Sequence, residues 1–107
     1  MLMLACCCFT VSAQTAAVDG RQLFLDVRKG NCAACHQVPG DSSIAGKSRI
    51  GPELAGIKQR YSDRALLRAA IWDLSEKIPG TIMPPYGKHR ILTETEIDAV
   101  VRYLETL

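Results

Sequence analysis

Cys32-Ala33-Ala34-Cys35-His36 is the stretch from which the rest of the chain is read. Two thiols three positions apart, followed at once by an imidazole, match the C-x-x-C-H pattern of covalent haem attachment. On a turn, the two sulfurs can reach the vinyl groups on adjacent edges of one haem, and the next residue sets its ring beneath the iron. Ala33 and Ala34 are small enough for the backbone to lie close to the macrocycle. The rival readings fit less well. Structural zinc needs four ligands, and past the first few residues only Cys32, Cys35, His36 and the distant His89 are on offer. A thioredoxin-like redox pair wants a βαβ setting, and a plain disulfide gives His36 no part. The expected cofactor is one covalent haem c, attached through Cys32 and Cys35, with His36 on the iron.

An iron with one imidazole needs a second ligand or keeps an open site. Beyond the N-terminal stretch, Met83 is the only methionine. It lies in Ile82-Met83-Pro84-Pro85-Tyr86-Gly87, where two prolines remove backbone donors and bar helix. A stiff loop can present a thioether to the iron with little ordering cost. The plain alternative is a Met filling a gap in the core, and the rival protein ligand is His89. Met83 is favoured over His89 or an open site, and a thioether raises the reduction potential by stabilising ferrous iron.

Three helical patterns surround these motifs, and no stretch alternates like a strand. The first runs from about Asp19 to Lys29, with Leu23, Phe24 and Val27 on one side and Gly30 closing it. The second starts at Ser62 or Asp63 and buries Leu67, Ala70, Ile71 and Leu74. The third opens on the capping-box pair Thr93 and Glu96 and carries Ile97, Val100, Val101 and Leu104 to the C-terminus. Gly- and Pro-rich loops, Val38–Pro52 and Ile78–Gly87, join them. The fold class expected is all-α.

The chain's 107 residues predict one domain, small enough that a large apolar cofactor would supply part of its core. Its net charge of +2 argues against a nucleic-acid binder. The charges are unevenly spread. Lys47, Arg49, Lys58, Arg60, Arg64 and Arg68 crowd the middle, whereas Glu94, Glu96, Asp98 and Glu105 crowd the end. The bland reading is solvated faces; the sharper one is a basic rim that steers an anion or acidic partner. Residues 1–13, MLMLACCCFTVSA, resemble an export signal without its basic start. They are too short to span a bilayer, so the expected protein is periplasmic, not integral to the membrane, with one domain over residues 14–107. Acylation of Cys6 after Leu4-Ala5 is the less favoured reading of the same stretch.

With the attachment motif after the first helix and a Met late in the chain, the sequence resembles a class I cytochrome c. The resemblance implies about three main helices and loops around one covalent haem. It also implies a crossing of first and last helix at which Gly20 and Phe24 meet Tyr103. Gly51-Pro52-Glu53-Leu54 resembles the family's G-P-x-L loop, so the Pro52 carbonyl is implied to accept a hydrogen bond from the His36 ring and fix its orientation. By sequence alone Pro52 is only a turn residue. Trp72 and Tyr86 either serve a haem propionate or are ordinary packing aromatics.

A narrower match joins Gly30-Asn31-Cys32-Ala33-Ala34-Cys35-His36, Gly51-Pro52-Glu53-Leu54, Met83-Pro84-Pro85-Tyr86-Gly87-Lys88-His89 and Ile91-Leu92-Thr93. Together these resemble the SoxX family of sulfur-oxidation cytochromes, from about Asp19 to the end. The resemblance implies a monohaem subunit with His36 and Met83 on the iron, forming a heterodimer with a larger haem subunit, SoxA. Such pairs couple thiosulfate to a cysteine of the carrier SoxYZ. The bond-forming haem lies in SoxA, so the small chain is implied to be the electron-accepting part of an L-cysteine S-thiosulfotransferase, with no catalytic residue of its own. A free-standing electron carrier is the main alternative, and a gas sensor that releases Met83 is a third.

Overall fold

Asp19 starts the first helix by accepting hydrogen bonds from the backbone N–H groups of Arg21 and Gln22 at 2.9 and 3.3 Å. The computed structural model describes residue 12 and residues 16–44 and 48–107. Apart from Ser12, the expected export signal lies outside the described residues, as does Lys47. The elements are α1 (Gly20–Leu25), α2 (Ile57–Arg60), α3 (Arg64–Trp72) and α4 (Glu94–Leu104), with 3₁₀ turns at Cys32–Ala34 and Leu74–Glu76. No strand occurs among the described residues. The architecture is all-helical, as the periodicity predicts.

Helix α1 is shorter than its apolar pattern suggests. Asp26 turns extended (ψ 113°), and its carboxylate accepts from Arg28 N at 2.8 Å, an Asx turn that competes with helix. Val27 is therefore solvent-exposed rather than in the core. Gly30 does not close the helix. It returns beneath it, donating to Leu23 O at 3.2 Å, where an added Cβ would stand 2.6 Å from that same oxygen.

Helices α1 and α4 cross at the two points where the sequence has glycine and aromatics. A Cβ on Gly20 would lie 2.0 Å from the Ala99 carbonyl oxygen, so the backbones touch. One turn on, the Phe24 and Tyr103 rings meet edge to face, centroids 5.5 Å apart. The capping box of α4 is complete: Thr93 N donates to Glu96 and Glu96 N donates to Thr93. Ile97, Val100, Val101 and Leu104 are all buried on its inner face, in one cluster with Phe24 and with Leu67 and Ile71 of α3.

Two of the middle arginines are matched to acidic residues of the last helix. Arg64 forks onto both carboxylate oxygens of Glu105. Arg68 reaches Asp98 at 2.8 Å and Glu94 at 3.3 Å. These contacts strap α3 to α4, so neither arginine is free to form the basic rim that charge counting suggests.

Candidate functional site

The 3₁₀ turn carries Cys32 and Cys35 toward an apolar cleft between α3, the α1–α4 crossing and the Met83 loop. Cys32 O accepts from Cys35 N at 3.1 Å and His36 N at 2.9 Å, and this winding brings both sulfurs and the imidazole to one wall. Asn31 precedes the turn in the left-handed region (φ 48°), a conformation asparagine tolerates better than most residues. No disulfide joins the two cysteines, so both sulfurs are available for thioether bonds.

The imidazole is set by its neighbours. His36 Nδ1 lies 2.8 Å from Pro52 O. A carbonyl can only accept, so Nδ1 carries the proton and Nε2 keeps a free lone pair. The ring rests on Gly51, where an added Cβ would stand 2.5 Å from its Cε1. Two backbone bonds hold that loop against the motif: Gly51 N to Cys35 O at 2.8 Å, and Leu54 N to Gln37 O at 2.9 Å.

Met83 lines the same cleft, half-buried, with Met83 N donating to Thr81 Oγ1 at 3.2 Å. His89 is exposed and is not among the lining residues. Tyr86 does line it, but its hydroxyl donates to Gly30 O at 2.7 Å and is occupied there. Trp72 is not in the lining. Its ring packs on Gly87, where a Cβ would come within 2.0 Å of Cε3, and Arg68 stacks 5.5 Å from its centroid.

The cleft suits an iron porphyrin in three respects. Its lining is dominated by aliphatic side chains such as Leu54, Ile57, Leu67, Ile71 and Leu104, and contains no carboxylate. An imidazole with a free Nε2 and a thioether face that one space. Arg60 is the lining's one guanidinium, with its Nη1 donating to Glu53 O at 3.0 Å. It offers a cation to an acidic edge, and the sequence marks it only as one of the six basic residues of the middle stretch. Zinc finds no such provision, since among the described residues no group of three or more His, Cys, Asp or Glu could hold a metal ion.

The family model described as Cytochrome c matches residues 17–107. Among curated proteins, a relative from Aquifex aeolicus (strain VF5), named "Uncharacterized lipoprotein", is 36% identical over 77 residues, which is 72% of this chain. The match covers 36% of that protein, so the chain spans about a third of its length. Among solved structures, a chain of SoxXA from P. pantotrophus superposes with a TM-score of 0.71 at 25% identity, covering 90% of this chain and 87% of that one.

Proposed function

Because the chain belongs to the cytochrome c family and so carries covalent haem c, we propose that it is the electron-accepting subunit of a thiosulfate-oxidising pair of the SoxXA kind. The observation that carries this reading is the likeness to a chain of SoxXA over 90% of the sequence. The Met83-Pro84-Pro85-Tyr86-Gly87-Lys88-His89 stretch adds to it. In this reading Cys32 and Cys35 form the two thioethers, and His36 Nε2 and the Met83 sulfur ligate the iron. Pro52 O holds the His36 ring, and Arg60 faces the propionates.

Bound haem supplies a one-electron iron couple. The chain's own residues supply the setting for it. The aliphatic lining excludes water, which disfavours the more charged ferric state, and the soft thioether favours ferrous iron in the same direction. Joining thiosulfate to a carrier thiol forms one S–S bond and releases one proton and two electrons. A one-haem subunit therefore turns over twice for each bond formed in its partner. Besides the groups assigned to haem, the polar side chains of the cleft lining are the neutral Asn31, Tyr61, Thr81 and Tyr86.

Periplasmic location is part of the proposal and rests on the apolar Met1–Ala13 stretch. Among the described residues no helix is long and apolar enough to cross a membrane. The lipoprotein name of the Aquifex relative favours a second reading, in which acylated Cys6 tethers the domain to a membrane surface. The mass of the mature N-terminal peptide separates a start near Gln14 from a lipid-bearing Cys6.

The deciding experiment is gentle purification from the periplasm of thiosulfate-grown cells, with mass spectrometry of accompanying haem proteins. A larger haem subunit in equal amount supports the pair, with carrier SoxYZ as its transient contact. Recovery as a lone, reducible monomer would favour the free-standing electron carrier.

A further inference from the structure

Asp73 is the buried carboxylate of the described residues, and its two oxygens do different things. Oδ1 works locally at the end of α3, accepting from Ser75 N at 3.0 Å and from the Ser75 hydroxyl. Oδ2 is fully enclosed and has no hydrogen bond. Among the described residues, the cation that reaches it is the Lys88 ammonium, 3.2 Å away, as an ion pair. The carboxylate is 4% exposed and the lysine 61%, so the lysine reaches inward from the surface to a charge water cannot serve. Ser75 and Lys88 together hold the Asp73 carboxyl below its usual range.

Lys88 belongs to the loop that carries Met83. The same end of α3 grips this loop twice more: Gly87 N and Lys88 N both donate to Trp72 O, at 3.2 and 3.3 Å, and Gly87 lies flat on the Trp72 ring. Pro84 and Pro85 stiffen the short link between this anchor and Met83. A shift at residues 87 and 88 is therefore passed to the thioether rather than absorbed.

We propose that the Asp73–Lys88 ion pair is a clasp that positions Met83, with Asp73 and Lys88 acting as positioning residues for the iron's sixth ligand. The proposal rests on Met83 being that ligand. It predicts that the buried charge, and not the shape of the turn, governs how readily the thioether yields its place. Asp73→Asn keeps an oxygen for Ser75 while removing the charge, and Lys88→Met keeps the aliphatic stem.

The test is the dissociation constant of added imidazole for the ferric holoprotein, which competes with the sixth ligand, read by absorbance alongside the reduction potential. Both variants are expected to bind imidazole about three- to tenfold more tightly than the parent, within the range a partly exposed ion pair contributes. Lys88→Arg is expected to restore the parent value. The double variant should match either single one, because each already opens the clasp. Unchanged imidazole affinity in Asp73→Asn and Lys88→Met, with Met83→Ala binding far more tightly, overturns the clasp and leaves the ligand standing. If Met83→Ala also binds no more tightly than the parent, the ligand assignment itself fails, and the clasp with it.

Discussion

The Tyr86 hydroxyl donates to the Gly30 carbonyl oxygen across 56 residues of sequence, at 2.7 Å and out of water. This bond joins the loop that bears Met83 to the turn that bears Cys32, on opposite walls of one cleft. Tyr86→Phe leaves the Gly30 carbonyl without its phenol partner, which should lower stability by about 1–3 kcal/mol. Urea unfolding of the holoprotein checks this, and an unchanged midpoint would show that the carbonyl finds another partner.

The same tyrosine predicts an alkaline limit. Burial raises its folded pKa above the ordinary value of 10.0, so the unfolded chain loses this proton first. The contribution is complete below pH 10, and stability falls as pH rises from there toward the folded value. Tyr86→Phe should be less stable than the parent at neutral pH but flatter between pH 9 and 11. Parallel slopes for the two proteins in that window would count against it.

Gly51 and His36 make a second close contact, with an added Cβ 2.5 Å from the ring. Gly51→Ala has to push the imidazole off Pro52 O or move the loop, an overpacking cost of about 1–3 kcal/mol. The outcome expected is a holoprotein with a shifted iron spectrum and a weaker hold on its His ligand. A variant with the parent's spectrum and stability would mean that the loop gives way freely.

Gly20 sets the helix crossing in the same steric manner. A methyl there would lie 2.0 Å from Ala99 O and 2.9 Å from Tyr103 Cβ. Both are fixed atoms, so α1 and α4 must separate, and Gly20→Ala should destabilise by about 3 kcal/mol. Loss of the Phe24–Tyr103 edge contact, followed by near-ultraviolet circular dichroism, is the local sign.

The parts legible in sequence were those with a short-range physical cause. Thr93 and Glu96 satisfy each other's backbone three residues apart, so α4 begins where the pattern says. Cys32, Cys35 and His36 are adjacent, and the turn that presents them is local. The end of α1 was misread because Val27 continues the apolar spacing while Asp26 bonds Arg28 N and breaks the helix first. Helix α2 is four residues long, too short for periodicity to mark. The pairings of Arg64 with Glu105, and of Arg68 with Asp98, connect residues 41 and 30 apart, and charge counting sees the two groups without seeing that they meet. Lys88 likewise looks like a solvated lysine until the fold sets Asp73 beneath it.

Glu96 carries two tasks that substitution can separate. It accepts Thr93 N at 2.8 Å to close the capping box and pairs with Lys29 Nζ at 2.8 Å to hold the chain after α1. Lys29 and Thr93 hold its carboxyl below its ordinary value of 4.5. A depressed folded pKa means the contribution is present above pH 4.5 and is lost as pH falls through the folded value. Glu96→Gln keeps the cap and loses the pair, at about 0.5 kcal/mol near pH 7. Glu96→Ala loses both, at about 1–2 kcal/mol. Stability measured from pH 7 to 3 should show the parent converging on Glu96→Gln in acid while Glu96→Ala stays below both.

Met83 is proposed as the second iron ligand because it faces the cleft while His89 is exposed. Removing a thioether takes away the group that favours ferrous iron, so Met83→Ala should lower the reduction potential, on the order of 0.1 V within the wide span axial ligands command. His89→Ala should leave the potential in place, since that ring lines no part of the cleft. Redox titration of both holoproteins is the check. If the two variants trade outcomes, His89 has swung inward to take the iron. The loop from Met83 to Arg90 would then adopt a different path from the one that Tyr86, Gly87 and Lys88 hold here.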